Sequence, residues 1–360
     1  MSSITKNPIT WKGYGIASTK DYKNFSVRDF EPKKADDYDI DIAISHCGVC
    51  ASDHHTISGG WGPVADEHLI AGHEVVGKVV KVGSKVSSIK EGDRVAVGAQ
   101  VCSCFECNNC KNDNENYCPN GVDTYNAKYP NGDLAHGGYS AGIRVHERFV
   151  FPLPEALKSE DAAPMACAGL TVYSPIVRNG TGPGKRVAVL GLGGLGHFAV
   201  QWIKALGAEA VVFSHSPSKK EDALKLGATD FVDTSKKDFE KPWAGKIDLI
   251  ISTASSTKGL DLNPYISTLV PQGKLVYVGM PEESLGEIKS QQLAGNGAFI
   301  GSSHIGSKKE ALAMYKLAAD KGVKPMLLVL PMKEAGKAIQ LIEDNKQRYR
   351  TVLVQDIVDY

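Results

Sequence analysis

The sequence predicts an α/β protein, with a mainly β first part followed by a parallel sheet covered by helices on both faces. Three observations predict it. Residues 1–153 read as mainly β, from short β-branched runs bounded by turn residues, one of which alternates apolar with polar or small residues. From about Ser159, short apolar runs alternate with helical stretches, as a doubly wound sheet requires. Between these runs, the β-branched segment Arg186–Leu190 leads into Gly191-Leu192-Gly193-Gly194-Leu195-Gly196 and then a helical segment closed by Gly207. A strand, glycines at G-x-G-x-x-G spacing and a helix together form a dinucleotide-binding fingerprint.

In the first part, Ile40, Ile42 and Ile44 alternate with polar or small residues, Val75–Val82 ends at a Gly83-Ser84 turn, and Asp93–Val97 runs up to Gly98. The stretch Asn108–His136 is rich in Asn, Asp, Gly and Cys and reads as loop. Phe149–Pro154 is a prolyl exit. The second part starts with a helix over Ala162–Ser174 and a glycine-rich joint, Asn179–Gly184. Strands are predicted at 186–190, 210–214, 247–252, 274–279 and 298–302, with a helix at Lys219–Leu226. After Gly306 follow a helix (Lys308–Ala319), a strand (Met326–Leu330), a helix (Met332–Glu343) and a last strand (Tyr349–Val354). There is no internal repeat.

The chain has 360 residues, 42% hydrophobic and 23% charged, with formal net charge +0. That length suits two domains. The neutral balance gives no general electrostatic reason to bind nucleic acid or anionic membrane. Met1–Lys6 lacks the apolar core of a signal peptide, and no apolar run is long enough to span a bilayer. A soluble, cytoplasmic protein is expected, in which the eight cysteines serve as metal thiolates before disulfides.

Cys104, Cys107, Cys110 and Cys118 are spaced C-x2-C-x2-C-x7-C in a polar loop. Four thiolates so close match a closed tetrahedral zinc site. A disulfide pair, which needs an oxidising compartment, and an all-cysteine iron–sulfur centre are the competing readings. Cys102 lies just outside the pattern as a spare thiol. A second, dispersed group comprises Cys47, His73-Glu74 and Cys167; singly each reads as packing or a satisfied histidine, but together two cysteines and a histidine are the ligand types of an open zinc site.

Which dinucleotide is implied depends on the end of the strand at 210–214. An NAD site needs an acidic residue about 20 residues past the glycines, for the ribose hydroxyls. Here Ser214-His215-Ser216-Pro217-Ser218-Lys219-Lys220 follows, with no carboxylate. Ser214, His215, Ser216 and Lys219 would instead meet the extra phosphate of NADP; a polar loop with an exposed lysine pair is the plainer alternative.

Cys47-Gly48-Val49-Cys50 through Asp53, Gly72-His73-Glu74, the four-cysteine loop, Gly137-Gly138-Tyr139, Cys167–Tyr173, the glycine loop and Arg348-Tyr349-Arg350 together resemble the zinc-dependent medium-chain alcohol dehydrogenases, in the cinnamyl alcohol dehydrogenase branch with its fungal NADP-dependent relatives. The resemblance spans nearly the whole chain. It implies a GroES-like catalytic domain made of both ends (1–157 and 307–360), an inserted Rossmann domain (158–306) and a homodimer built by pairing Rossmann sheets edge to edge. It implies NADP(H) and two zinc ions per chain, one catalytic on Cys47, His73 and Cys167 with Glu74 as a possible transient fourth ligand, the other structural on the four-cysteine loop. Asp53 would orient His73, and Ser52 and His55 would carry a proton. Thr171, Gly194, Leu195 and Arg350 join Gly191, Gly193 and Gly196 as cofactor contacts. Trp61 is a candidate apolar wall for aromatic or medium-chain aldehydes; composition alone equally allows it a place in the core. Ala51, where relatives often carry histidine, His54 beside His55, and Glu67–Ala71 depart from the pattern near the implied pocket mouth. A polyol dehydrogenase and a non-catalytic NADPH-binding scaffold are the alternative functions.

Overall fold

The computed structural model describes residues 9–285 and 287–358; the Met1–Lys6 reading lies outside them. The chain divides into two compact units, one of residues 1–167, 306–320 and 324–360, the other of 168–305 with 321–323. The first cut falls at Cys167 rather than after residue 157, and the return at Gly306.

In the first unit, seven strands form one sheet. Six lie in the order Leu327–Pro331, Arg350–Val354, Asp39–Val49, Glu74–Val82, Arg94–Val97 and Val150–Pro152, and Gly142–His146 pairs with Asp39–Val49. The isoleucine alternation does mark a strand, but the strand is longer and buried on both faces, so its second half shows no alternation. Its core gathers Ile40, Ile42, Ile44, Val75, Tyr139, Ile339 and Leu353. The segment read as loop contains a helical turn at Asn108–Lys111, a 3-10 turn at Glu115–Tyr117 and a short strand at Val122–Asp123. The helix predicted at Ala162–Ser174 is interrupted: a turn at Ser159–Ala162 and a 3-10 turn at Ala163–Ala166 precede Cys167, whose φ of −120° and ψ of −70° are not helical, and a new helix spans Ala168–Arg178. Pro164 lies in the 3-10 turn, where it cannot donate a backbone hydrogen bond.

The second unit is a six-stranded sheet, all parallel: Arg186–Leu190, Glu209–Ser214, Asp230–Asp233, Ile247–Ser252, Leu269–Tyr277 and Phe299–Ser302. In chain order they are first to sixth; in space they run third, second, first, fourth, fifth, sixth. This is the doubly wound dinucleotide-binding order, and the ligand crevice of such a sheet lies outside the carboxyl ends of its strands, where the order reverses. The glycine loop leaves the first strand at that point. Gly191 has φ +94°, and a Cβ on Gly196 would collide with the Gly191 carbonyl. Gly193 has no heavy atom near its missing Cβ, so backbone is open to a ligand there. Among the described residues, no helix is long and apolar enough to cross a membrane.

Candidate active site

The four-cysteine loop closes on itself. Cys107 Sγ lies 3.5 Å from Cys110 Sγ and 3.9 Å from Cys118 Sγ, which is 3.5 Å from Cys104 Sγ. A tetrahedron with metal–sulfur bonds of about 2.3 Å places its sulfurs about 3.8 Å apart, whereas a disulfide needs about 2.05 Å. The spacing therefore fits a metal tetrathiolate. The backbone N–H of Cys104 donates to Cys118 Sγ and that of Cys107 to Cys104 Sγ; the Cys107 N–H, followed by that of Glu106, pulls the Cys104 thiol down to about 6. Cys104→Ser is expected to lower Tm and release one zinc ion per chain while the remaining folded protein keeps its turnover rate, since structural zinc contributes folding free energy; parallel melting curves, metal analysis and kinetics check this.

The second group is where structure and sequence reading part. The ligand atoms of Cys50, His73, Glu74 and Cys167 all lie within 4.8 Å of one another, and all four residues are buried. Cys47 is not among them. It sits in the strand Asp39–Val49, opposite Leu353 and Val75, fully buried in the apolar core. Its thiol donates to the Gly48 carbonyl. Burial, with Asp53 nearby, pushes the Cys47 thiol well up. Cys50 instead follows the strand as N-cap of the helix Ala51–Ile57, and its thiol is pulled well down, chiefly by the Cys167 thiol hydrogen-bonding to it, with His73 adding to the effect. The assignment of Cys47 as a ligand is thus corrected to Cys50: only Cys50 has left the strand and can turn its sulfur toward His73 and Cys167.

Asp53 organises this corner. It is fully buried, and its carboxylate accepts from the backbone N–H of Cys50 at 2.9 Å, from the backbone N–H of Gly72 at 3.2 Å and from Tyr139 Oη at 3.0 Å. His73 Nδ1 is 3.2 Å from Oδ1, the oxygen that also accepts from Gly72. Burial works against the His73 imidazolium, but Asp53 and Cys50 outweigh it and hold the ring's pKa well above normal. Tyr125 stacks on His73 with centroids 5.6 Å apart. With Nδ1 committed to Asp53, Nε2 is left buried with no hydrogen-bond partner. Glu74 shows the same signature. One carboxylate oxygen pairs with Arg350, the other is buried with no partner, and burial pushes the group up to about 7 despite Arg350. Gly48 makes room for it: a Cβ there would overlap Glu74 Oε2. An orphaned imidazole nitrogen, an orphaned carboxylate oxygen and two sulfurs at one point fit a zinc ion.

Ser52 Oγ lies 3.6 Å from Cys50 Sγ, beside this point. His55 stacks face to face on Trp61 with centroids 5.1 Å apart and planes 12° apart, so Trp61 is a half-exposed partner of His55 rather than core. Tyr125 and Tyr139 were not assigned roles from sequence. Cys50 was recoverable, because Cys50-x-x-Asp53 has the N-cap-to-N3 spacing of a capping box.

In the second unit, the glycine loop is held from below by Thr253 Oγ1, which donates to the Gly191 carbonyl at 2.9 Å, and His197 Nδ1 lies 2.9 Å from the Gly194 carbonyl. Leu195 is the N-cap of the helix Gly196–Ala205. Ser214 ends the second strand, buried, and its Oγ accepts from the Ser216 N–H at 3.1 Å. His215 is exposed. Lys219 Nζ donates to the Leu192 carbonyl at 2.8 Å, tying this turn to the glycine loop. Asp233, next to Ser214 in register on the third strand, turns onto Ser235 Oγ at 2.6 Å. Thr171 is buried on the helix Ala168–Arg178. Arg350, read from sequence as a cofactor contact, lies buried against Glu74 in the first unit.

Residues 36–155 match the alcohol dehydrogenase GroES-like domain, and residues 194–320 the zinc-binding dehydrogenase domain. The chain is 45% identical to an NADP-dependent alcohol dehydrogenase of Saccharomyces cerevisiae over 352 residues, covering 96% of this chain and 97% of the yeast protein. It superimposes on a cinnamyl alcohol dehydrogenase from Sorghum bicolor with TM-score 0.91 and 36% identity, covering 97% of this chain and 99% of that one. A cinnamyl alcohol dehydrogenase of Helicobacter pylori solved with NADP(H) gives TM-score 0.86 and 32% identity over 95% and 97% of the two chains. With both domains matched and these relatives covering nearly its full length, the chain belongs to the zinc-dependent medium-chain alcohol dehydrogenases, in the cinnamyl alcohol dehydrogenase branch.

Proposed function

We propose that this enzyme interconverts aromatic or medium-chain aldehydes and their alcohols with NADP(H), at a zinc ion held by Cys50, His73 and Cys167, with Glu74 as a ligand in reserve. The observation that carries the reading is the buried meeting of two sulfurs, the partnerless His73 Nε2 and the partnerless Glu74 oxygen. Zinc, when bound, polarises a carbonyl oxygen as a Lewis acid, and NADPH supplies the hydride.

The chain's own residues do the rest. Asp53 fixes the His73 tautomer and ring plane through the Nδ1 contact at 3.2 Å. Arg350 keeps Glu74 oriented, so that one carboxylate oxygen stays aimed at the site. Ser52, beside Cys50, exchanges the proton of the substrate oxygen, and His55, three residues on in the same helix, moves that proton on. In the second unit, Gly191, Gly193, Gly194, Leu195 and Gly196 receive the pyrophosphate at a helix N-terminus, while His215, Ser216 and Lys219 face the extra phosphate and Ser214 shapes their turn. Trp61, beside His55, supplies apolar surface for substrate. The reading extends to a cytoplasmic homodimer; the outer strand Phe299–Ser302, with Phe299 53% exposed, gives the second unit's sheet an edge suited to pairing.

Apolar pockets discriminate weakly, one methylene counting for about 1–3 kcal/mol. Initial rates with NADPH and cinnamaldehyde, a straight-chain aldehyde, a ketone and, in reverse, a polyol are therefore expected to show both aldehydes reduced well. Activity confined to the polyol contradicts the assignment, and no activity on any of them favours a scaffold.

A further inference from the structure

The helix Ala51–Ile57 carries two adjacent histidines, and only His55 has a role in the reading above. Its neighbour His54 is, like His55, only partly buried. The His54 and His55 rings are 5.6 Å apart between centroids, inclined at 60°. On its other side His54 meets the edge of Tyr22, centroids 5.7 Å apart. Tyr22 Oη donates to Glu343 Oε1 at 3.0 Å, and Lys23 Nζ donates to Glu343 Oε2 at 2.8 Å and to Gln340 Oε1 at 2.9 Å. Lys23 and Glu343 are open to solvent, with side chains 40% and 35% exposed. Trp61 covers the face of His55, at 5.1 Å and nearly parallel.

We propose that His54 is an outer proton carrier, passing the reaction's proton between His55 and solvent at the Tyr22–Lys23–Glu343 edge. This rests on the assignment of His55 as the inner carrier. Rings at this separation can exchange a proton through one bridging water. The titratable groups around His54 are His55 on its own helix, Tyr22 and Lys23 on the segment before the strand Phe25–Asp29, and Glu343 and Asp344 at the end of the helix Ala335–Glu343. The hydrogen bonds from Lys23 and then Tyr22 hold Glu343 below the ordinary carboxylate range, and a charge on His54 acts in the same direction. By reciprocity, the Glu343 carboxylate favours a proton on His54. Asp344 is likewise kept ionised, by Lys346 and Gln340.

The steps balance. In alcohol oxidation, the proton leaving the substrate hydroxyl reaches His55 as an imidazolium. His55 gives it to a ring nitrogen of His54, and His54 releases its other ring proton, or the same one, to water or a buffer base. Both rings end neutral, and no electrons or heavy atoms move. Aldehyde reduction runs the same route inward.

The test is stopped-flow oxidation of cinnamyl alcohol with NADP+ in weak buffer, following NADPH by absorbance and released protons by an indicator dye. In the wild-type enzyme, proton release keeps pace with NADPH. His54→Gln and His54→Phe are both expected to slow proton release about tenfold, less than loss of a group at the reacting oxygen, and imidazole buffer is expected to restore it. His54→Phe keeps an aromatic ring against Tyr22, so a purely packing role would spare it. Wild-type proton release in His54→Phe, or a loss that imidazole does not repair, overturns the inference while leaving the reaction intact. A wild-type enzyme that turns over no alcohol removes the functional reading and this inference with it.

Discussion

Cys50→Ala is expected to abolish turnover and leave one zinc ion per chain, whereas Cys47→Ala keeps two zinc ions and wild-type kcat. The two cysteines are three residues apart in one motif, yet chemically unlike. Cys47 is a fully buried thiol in an apolar core, with its pKa pushed up. Cys50 lies within 4.8 Å of His73, Glu74 and Cys167, with its pKa pulled down. Geometry separates them: Cys50 brings its sulfur to the other three donors, and Cys47 does not. Losing the Cys47 sulfur costs about 1 kcal/mol of stability, as an ordinary small core truncation does. Metal analysis and steady-state rates on the two variants give the answer; loss of zinc and activity in Cys47→Ala with neither lost in Cys50→Ala reverses the correction.

Ser52→Ala is expected to lower kcat by roughly 10²–10⁴, the range for a positioned proton-transfer group. Ser52 Oγ stands 3.6 Å from Cys50 Sγ, the hydroxyl placed beside the metal-binding corner. The substitution leaves Asp53 and its contacts to Cys50, Gly72 and Tyr139 in place. Zinc content therefore stays at two ions and the loss appears in kcat. His55→Asn is expected to lose less, because water substitutes at the outer end. Measured under conditions where the chemical step limits turnover, an unchanged kcat in Ser52→Ala removes the serine from the mechanism.

The fold was largely legible because its signals are local. The glycine spacing at Gly191–Gly196 announces a turn that only that spacing permits, and the structure shows why, with Gly196 pressed against the Gly191 carbonyl. The strand Asp230–Asp233 was not foreseen: it is four residues long with a carboxylate at each end, and it exists because it pairs along Val211–Ser214. The broken helix at Cys167 was read as continuous, although Pro164, which cannot donate a helical hydrogen bond, signalled the break. At the site, the four-cysteine loop was readable because all its ligands lie within 15 residues of chain. The dispersed group was readable only as residue types. Cys47 and Cys50 are alike as residue types, and only the Cys50-x-x-Asp53 spacing marks that the strand Asp39–Val49 has stopped and a helix begun at Cys50. Tyr125 and Tyr139 were invisible because their partners, His73 and Asp53, are distant in sequence. Arg350 was matched by motif to the cofactor; its pairing with Glu74 was not foreseen.

The measurement that tests the central claim most directly is kcat/KM for cinnamaldehyde reduction with NADPH and with NADH. The second strand of the dinucleotide sheet ends at Ser214 rather than at an acidic residue, and the turn after it presents His215, Ser216 and Lys219. Two hydrogen bonds to a charged phosphate, at about 1.5–3 kcal/mol each, favour NADPH by roughly 10²–10⁴ when they persist in the transition state. Ser214→Asp with Lys219→Ala is expected to erode or reverse the ratio. A ratio in that range, falling in the double variant, is what a zinc-dependent, NADPH-linked aldehyde reductase must show; equal kcat/KM for the two cofactors in the wild-type enzyme contradicts it.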